Sequence, residues 1–189
     1  MFDHSVNVNA IIQGESNMNT RKQSTDLKMF IAEAYICLLN RRMPEEIENK
    51  QIIQASGVSS SSFYRYFKST KDILKLYFNQ KWAEYVKNQN IQLHYNYYEN
   101  INAFFSFNLT ERSVLTTMYN SDLSRVLYEI CYEHMLYIIQ RGVSDLFEAS
   151  FLMHGLFGLL DIWIRSGFQK TPEELTALYY EYTDLQRTH

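Results

Sequence analysis

The segment between Ser59 and Lys71 is rich in hydroxyl and basic side chains. Such side chains are suited to hydrogen bonding with a polyanion. Arginine, lysine and tyrosine donate to phosphate oxygens, and serine hydroxyls both donate and accept. The serines can bond base edges or phosphates without a strong preference among bases. The candidate residues of this segment are Ser59, Ser60, Ser61, Ser62, Tyr64, Arg65, Tyr66, Lys68 and Lys71. Phe63 and Phe67 lie among them and are expected to pack in the core.

Catalytic and metal-binding motifs are missing from the sequence. It has no G-x-S-x-G, P-loop, G-x-G-x-x-G or H-E-x-x-H pattern. Its five histidines have no metal-ligand spacing with one another or with the two cysteines. Both cysteines, Cys37 and Cys131, fall on predicted apolar helix faces and are expected to be small buried residues. We therefore expect no enzyme activity, no metal and no cofactor.

Charge is unevenly distributed along the chain. Formal charge is −2 over residues 1–20, +5 over 21–87 and −6 over 88–189, within a net charge of −3. A basic segment on an acidic remainder indicates that the basic part meets a polyanion, although a solvated basic face explains such an excess equally well.

The secondary structure that holds the candidate residues between Ser59 and Lys71 is predicted to be helical. Only 6 Gly and 2 Pro leave little turn chemistry, which favours an all-α protein. After a polar arm over 1–20, a helix starts at Ser24 with an apolar stripe through Phe30, Ala34, Cys37 and Leu38, which Leu27 and Ile31 extend. Short helices over 50–55 and 59–67 flank Gly57, which is the pattern of a helix-turn-helix.

The rest of the chain predicts longer helices. Ser69 is a plausible N-cap for a helix to about Gln89, and Thr171 for a last helix. Amphipathic periodicity predicts a helix over 121–140, and residues 144–166 are apolar on nearly every side. A helix of that kind needs cover on more than one side, and a second subunit is a plausible cover.

The segment Ile47–Leu74, IENKQIIQASGVSSSSFYRYFKSTKDIL, resembles the helix-turn-helix of the TetR family of bacterial transcription regulators. The resemblance covers residues 20–78, and its matching positions are Ile52, Gly57, Val58, Ser59, Phe63, Tyr64, Tyr66, Phe67, Ser69 and Leu74. The later segment HGLFGLLDIWIRSGFQKTPEEL looks like the final two helices of members of the dihydroxyacetone kinase regulator type.

The resemblance implies a DNA-binding regulator, a repressor by expectation, that binds a palindromic double-stranded operator as a homodimer. Residues 21–70 would be a three-helix DNA-binding domain, and residues 71–189 a helical domain that dimerises and binds a small-molecule effector. By the same resemblance, Tyr64 contacts the DNA backbone and Lys50 flanks the entrance of the second helix. The ligand would release the operator by changing the spacing of the two recognition helices.

Three positions depart from the family pattern. Glu48 replaces a usual Thr, Ile53 a usual small residue, and Thr70 a usual Lys, which appears one position late as Lys71. An acidic Glu48 facing phosphate would weaken DNA binding. The alternative is therefore a TetR-like interaction protein or co-activator that acts through a protein partner with little DNA affinity of its own.

Two further sites are expected in the larger domain. An aromatic ligand pocket would draw on Tyr97, Tyr98, Phe104, Phe105, Phe107, Met118, Tyr119, Tyr128, Tyr132, Met135 and Trp163, although residues of this kind at helical spacing are more usually plain core. A dimer contact would use Phe151, Gly155, Gly158, Ile162, Leu175 and Tyr179, with packing inside one subunit as the alternative.

The protein is expected to be cytoplasmic and to have no membrane partner. Its N-terminus lacks the basic and apolar regions of a signal peptide. Its most apolar stretch, Phe151 to Ile164, is 14 residues long and contains His154 and Asp161, which is too short and too polar to span a bilayer.

Overall fold

In a computed structural model, the backbone is described over residues 8–92, 97–140 and 145–184, and side chains over 23–92, 99–133 and 145–183. Every regular element in these residues is helical, so the prediction of an all-α protein is confirmed. The helices are α1 (Val8–Leu39), a 3-10 turn (Pro44–Glu46), α2 (Asn49–Ser56), α3 (Ser60–Tyr66), α4 (Thr70–Asn88), α5 (Tyr97–Thr110), α6 (Arg112–Asn120), α7 (Ser124–Gln140), α8 (Leu146–Arg165) and α9 (Pro172–Asp184).

Helix α1 begins earlier than the sequence predicted. It is continuous from Val8, whereas a flexible arm was expected to residue 20. Residues 8–23 contain one glycine and no proline, and extending an existing helix costs far less free energy than nucleating one. Helix α1 therefore includes residues 8–20 of the expected arm, and residues 1–7 lie outside the described part of the chain.

The buried face of α1 shares only Ile31 with the predicted stripe. It consists of Ile31, Ala32, Tyr35, Ile36 and Leu39. Phe30 and Cys37 are exposed instead, so the expectation of a buried Cys37 is wrong, while Cys131 is buried as expected. Residues 30–39 are apolar except for Glu33, so two stripes of helical period fit the sequence. Packing against α2 and α4 selects between them.

The first four helices pack around a shared apolar core. The buried face of α1 meets Ile52 of α2 and Phe63 of α3, and Ile73 and Leu74 at the start of α4 complete the cluster. Helix α4 then continues toward the later helices, where it contacts both α5 and α7. Helix α4 therefore contacts helices of both groups, and α1 adds a second link through its contact with α6.

Helices α5 to α9 form the larger group. α7 packs on α8, α5 on α9, and α8 also contacts α6 and α9. At the centre, Trp163 meets the Phe105 ring at a centroid distance of 5.9 Å and donates from its indole Nε1 to the Lys170 carbonyl at 2.9 Å. The Thr171 and Glu174 side chains cap the start of α9, as predicted from the sequence.

A break that the sequence analysis missed separates α6 from α7. Asp122 has a left-handed φ of 54°, and the N–H of Leu123 donates to the Met118 carbonyl at 2.8 Å. Aspartate tolerates this conformation better than most residues, which makes it a natural stop after a helix. The helix predicted over 121–140 therefore begins at Ser124.

Helix α8 is the one helix in the described residues that is long and apolar enough to cross a membrane by length and composition. It has 20 residues, so the expectation that this segment is too short does not hold. Core helices of globular proteins pass the same test, and α8 buries Leu152, Leu156 and Leu160 against its neighbours. Its opposite face is exposed.

Candidate nucleic-acid interface

The turn between α2 and α3 depends on Gly57. This residue has φ of +68°, a left-handed conformation that glycine adopts without steric cost, and its N–H donates to the Ile53 carbonyl at 3.1 Å. Two residues later, Ser59 caps α3 by accepting a hydrogen bond from the Ser62 N–H at 3.2 Å. Cap and glycine together fix the direction in which α3 leaves the turn.

The four serines at the start of α3 are not equivalent. The Ser59 hydroxyl shares hydrogen bonds with the hydroxyls of Ser61 at 3.1 Å and Ser62 at 3.0 Å. Ser59, Ser60 and Ser61 are exposed, and Ser62 is half-buried. The first turn of α3 therefore presents an ordered set of hydroxyl groups to the surroundings, with Ser60 and Ser61 outermost.

The orientation of α3 follows from which of its aromatic side chains are buried and which are exposed. Phe63 is 2% exposed and Phe67 is also buried, which confirms both as core residues. Tyr64 is 60% exposed and meets the Phe63 ring edge to face at 5.2 Å. The two phenylalanines thus hold the helix against the core while Tyr64 stands on its outer face.

Tyr66 links α3 to α1. Its hydroxyl accepts a hydrogen bond from Arg65 Nη2 at 2.8 Å, and the Arg65 guanidinium and Lys28 ammonium lie 4.7 Å and 5.1 Å from its ring centroid. A hydrogen bond to Ser24, together with Arg65, lowers the pKa of Tyr66. Tyr66 is half-buried, so it does not project from the surface as Tyr64 does. Its role is to hold the Arg65 and Lys28 side chains in place.

The predicted lysine contacts fall in two groups. Lys50 and Lys68 are exposed, on the first turn of α2 and just before α4. Lys71 instead forms an ion pair with Glu129 of α7, and Lys75, one turn later, pairs with Glu133. The structure therefore leaves Lys50, Arg65 and Lys68 exposed and directs Lys71 toward α7.

The three departures from the expected pattern each have a local role. Glu48 precedes α2, and its N–H donates to the Gln51 side chain at 2.9 Å. Ile53 is half-buried against the core. Thr70 hydrogen-bonds to the buried Tyr35 of α1, whose pKa is raised mainly by burial. Thr70 therefore serves the attachment of α4 to α1.

The described members of the predicted ligand set lie in several parts of the fold. Phe105 and Trp163 are core residues, and the Tyr119 hydroxyl donates to Asp161 Oδ1 at 2.9 Å in another part of the fold. Tyr128 and Tyr132 both contact the His154 ring, while the side chains of Tyr97, Tyr98 and Met135 lie outside the described residues. Sequence spacing places residues on a helix face but does not reveal which faces enclose a cavity.

An enclosed apolar cavity lies between α4, α5 and α7. Its volume of about 20 Å³ holds about one water molecule. The side chains around it are Phe78, Trp82, Phe104, Phe107, Asn108, Ile130 and Cys131. Of these, Phe104 and Phe107 were among the predicted aromatic residues. Asn108 supplies the polar group, although its amide already donates to the Phe104 carbonyl at 2.8 Å.

The predicted dimer residues divide between the surface and the core. Phe151, Gly155, Gly158 and Ile162 lie on one exposed face of α8, and Ile162 is 58% exposed. Leu175 and Tyr179 instead pack inside the subunit, where the Tyr179 hydroxyl donates to the Leu152 carbonyl at 3.2 Å.

Another exposed aromatic residue of α8 was missed by the sequence analysis. Phe147, in the first turn of the helix, is 84% exposed. It lies four residues before Phe151, so the helical spacing of the exposed face could have revealed it.

Metal chemistry finds no support in the described residues. Among them, no group of three or more histidine, cysteine, aspartate or glutamate side chains is placed to hold a metal ion.

The fold is thus all-α, with a helix-turn-helix formed by α2 and α3. No protein-family model matches the chain, and no curated protein matches it in sequence. The chain is similar to a solved structure described as "Dihydroxyacetone kinase operon activator DhaS", with a TM-score of 0.55 and 15% sequence identity. The similarity covers 84% of this chain and 93% of that chain. At this identity it establishes a shared fold.

Proposed function

We propose that the protein is a TetR-like transcription regulator that binds a palindromic operator as a homodimer, with α3 as its recognition helix. The observation that carries this proposal is the arrangement of α3, which is anchored by buried Phe63 and Phe67 while Ser60, Ser61 and Tyr64 face outward. A helix of this kind fits the major groove with its N-terminal residues toward the bases.

Phosphate contacts would flank that helix. Arg65 is held beside Tyr66, and Lys50 and Lys68 are exposed on either side of α3 in the chain. Such contacts position a protein on DNA and make its affinity fall as salt concentration rises, because bound cations are released from the duplex. The serines and Tyr64 would then carry the contacts to base edges.

Dimerisation would use the exposed face of α8. Phe151, Gly155, Gly158 and Ile162 recur at helical spacing, and two glycines allow a partner helix to approach closely. A contiguous apolar face of this kind marks an interaction surface. A second copy would cover it and place two α3 helices one helical turn of DNA apart, about 34 Å.

A small-molecule effector would act through α4. The cavity beside Phe78 and Trp82 has a volume of about 20 Å³, so a ligand larger than a few atoms would have to push α4 away from α5 and α7. That movement would change the spacing of the two recognition helices and release the operator, which corresponds to a repressor. We place this activity in the cytoplasm, without a membrane partner.

Titration of promoter DNA at two salt concentrations tests the proposal. The wild-type protein should bind the promoter region of its own gene and lose affinity steeply between low and high salt. Arg65→Ala and Tyr64→Ala should each weaken binding, and Arg112→Ala, which removes an exposed arginine on α6, is the matched control. Binding that ignores salt and both α3 variants would overturn the proposal.

A protein-partner function is the second candidate. It is favoured by Phe147, an aromatic ring left 84% exposed, and by the ion pair that engages Lys71 with Glu129 of α7. On this hypothesis the α8 surface binds a different protein, and the α3 variants leave regulation unchanged. Loss of regulation with Phe147→Ala but not with Arg65→Ala would favour it over DNA binding.

A further inference from the structure

Two parallel ion pairs join the start of α4 to α7. Lys71 pairs with Glu129 and Lys75 with Glu133, so each helix contributes side chains four residues apart. Residues at this spacing lie on one face of a helix, one turn above the other. The pair nearer to α3 is Lys71–Glu129, because Lys71 lies in the first turn of α4.

The direction of Lys71 follows from its register. Thr70 faces Tyr35 of α1, and each further residue of a helix is rotated by about 100°. The Lys71 side chain therefore points away from α1 and toward α7, where it forms its ion pair with Glu129. Arg125 lies one turn earlier on α7, with its Nε 3.9 Å from Glu129 Oε1. The Glu129 carboxylate is thus the common partner of two cations.

Solvent exposure keeps the Lys71–Glu129 pair weak enough to be exchanged. The two side chains are 41% and 32% exposed, and ion pairs in such surroundings stabilise a fold only slightly. Hydrogen bonding from Lys71 lowers the pKa of Glu129, so this carboxylate remains charged near neutral pH. A DNA phosphate offers the same ammonium an equivalent anionic oxygen, and the flexible lysine stem allows it to change partner.

We propose that Glu129 competes with a DNA phosphate for the Lys71 ammonium and thereby lowers the affinity of the protein for its operator. The proposal rests on the proposed function, since it assumes that α3 docks on DNA. Docking would bring the α3–α4 junction to the sugar-phosphate backbone, where Lys68 already lies exposed. Lys71 then leaves Glu129 and binds phosphate, at the expense of the ion pair.

Paired charge-neutralising variants test this competition. Glu129→Gln frees Lys71, and Glu133→Gln removes the same charge one turn further from α3 and serves as the matched control. Operator affinity is measured over a range of salt concentrations by fluorescence anisotropy with a labelled duplex. We expect Glu129→Gln to bind about 1.5- to 5-fold more tightly with the salt slope of the wild type, because Lys71 contacts the same phosphate in both complexes and only the competing ion pair is lost. Glu133→Gln should match the wild type.

A second experiment shows whether the gain in affinity requires Lys71 or arises from Arg125, the other cation beside Glu129. In a Lys71→Ala protein, adding Glu129→Gln should change neither affinity nor salt slope. An unchanged or lower affinity for Glu129→Gln alone would overturn the proposal, as would equal gains from Glu133→Gln or a gain that persists without Lys71. Absence of DNA binding in the wild type and in every variant would instead show that the proposed function itself is wrong.

Discussion

The Arg65 guanidinium donates a hydrogen bond from Nη2 to the Tyr66 hydroxyl at 2.8 Å and lies over the Tyr66 ring, with 4.7 Å between the guanidinium carbon and the ring centroid. A free arginine samples many rotamers, and ordering one on binding costs free energy. The contact with Tyr66 restricts this freedom before DNA arrives. It also ties the cation to α1 through Ser24 and Lys28.

Removing the Tyr66 hydroxyl should therefore weaken DNA binding without loosening the fold. Tyr66→Phe keeps the ring under the guanidinium but removes the hydrogen-bond acceptor, and we expect affinity to fall about two- to tenfold, the effect of one modest hydrogen bond. Anisotropy titration measures it, with Tyr85→Phe in the larger group of helices as control. Equal affinity of Tyr66→Phe and wild type would show that this contact does not prepare Arg65.

Replacing Phe63 or Tyr64, two neighbouring aromatic residues of α3, by alanine should have very different effects on the stability of the fold. Phe63→Ala removes a ring that is 2% exposed and should lower the free energy of unfolding by ~3–5 kcal/mol. Tyr64→Ala removes the exposed neighbour and should change it by less than about 1 kcal/mol. Urea denaturation followed by circular dichroism measures both. Similar losses from the two variants would contradict the assigned orientation of α3.

Self-association should depend on the exposed face of α8. Ile162→Glu places a charge on this face, and we expect the dimer to dissociate because a buried glutamate without a partner is strongly unfavourable. Sedimentation velocity measures the change. Gln169→Glu, an exposed position beyond α8, carries the same added charge and should remain dimeric. A monomeric wild type, or an Ile162→Glu protein that still dimerises, would rule out this interface.

The two cysteines should differ in reactivity. Burial raises the pKa of the Cys131 thiol to about 12, so the nucleophilic thiolate is scarcely populated at neutral pH, whereas Cys37 is exposed on α1. Iodoacetamide should therefore label only Cys37 in the native protein and both cysteines in denaturant. Peptide mass spectrometry identifies the labelled residue, and a Cys37→Ser protein should take up no label while folded. Rapid native labelling of Cys131 would be inconsistent with the described core.

Sequence patterns predicted local structure better than they predicted contacts between helices. Gly57 indicated the turn and Ser69 the cap of α4, because each acts on atoms within a few residues of itself. The buried face of α1 was assigned incorrectly, since the choice between two apolar stripes depends on where α2 and α4 lie. The pairing of Lys71 with Glu129 was equally out of reach, because it joins residues far apart in the chain.

Selection from a pool of randomised DNA duplexes tests the central claim most directly, because the protein itself chooses the sequence that it binds. The account predicts that the wild-type protein enriches an inverted repeat whose half-sites lie about one helical turn apart, and that a protein carrying Arg65→Ala and Tyr64→Ala enriches nothing. Failure of the wild type to enrich any sequence, or enrichment of the same sequence by the double variant, would contradict the assignment of α3 as a recognition helix.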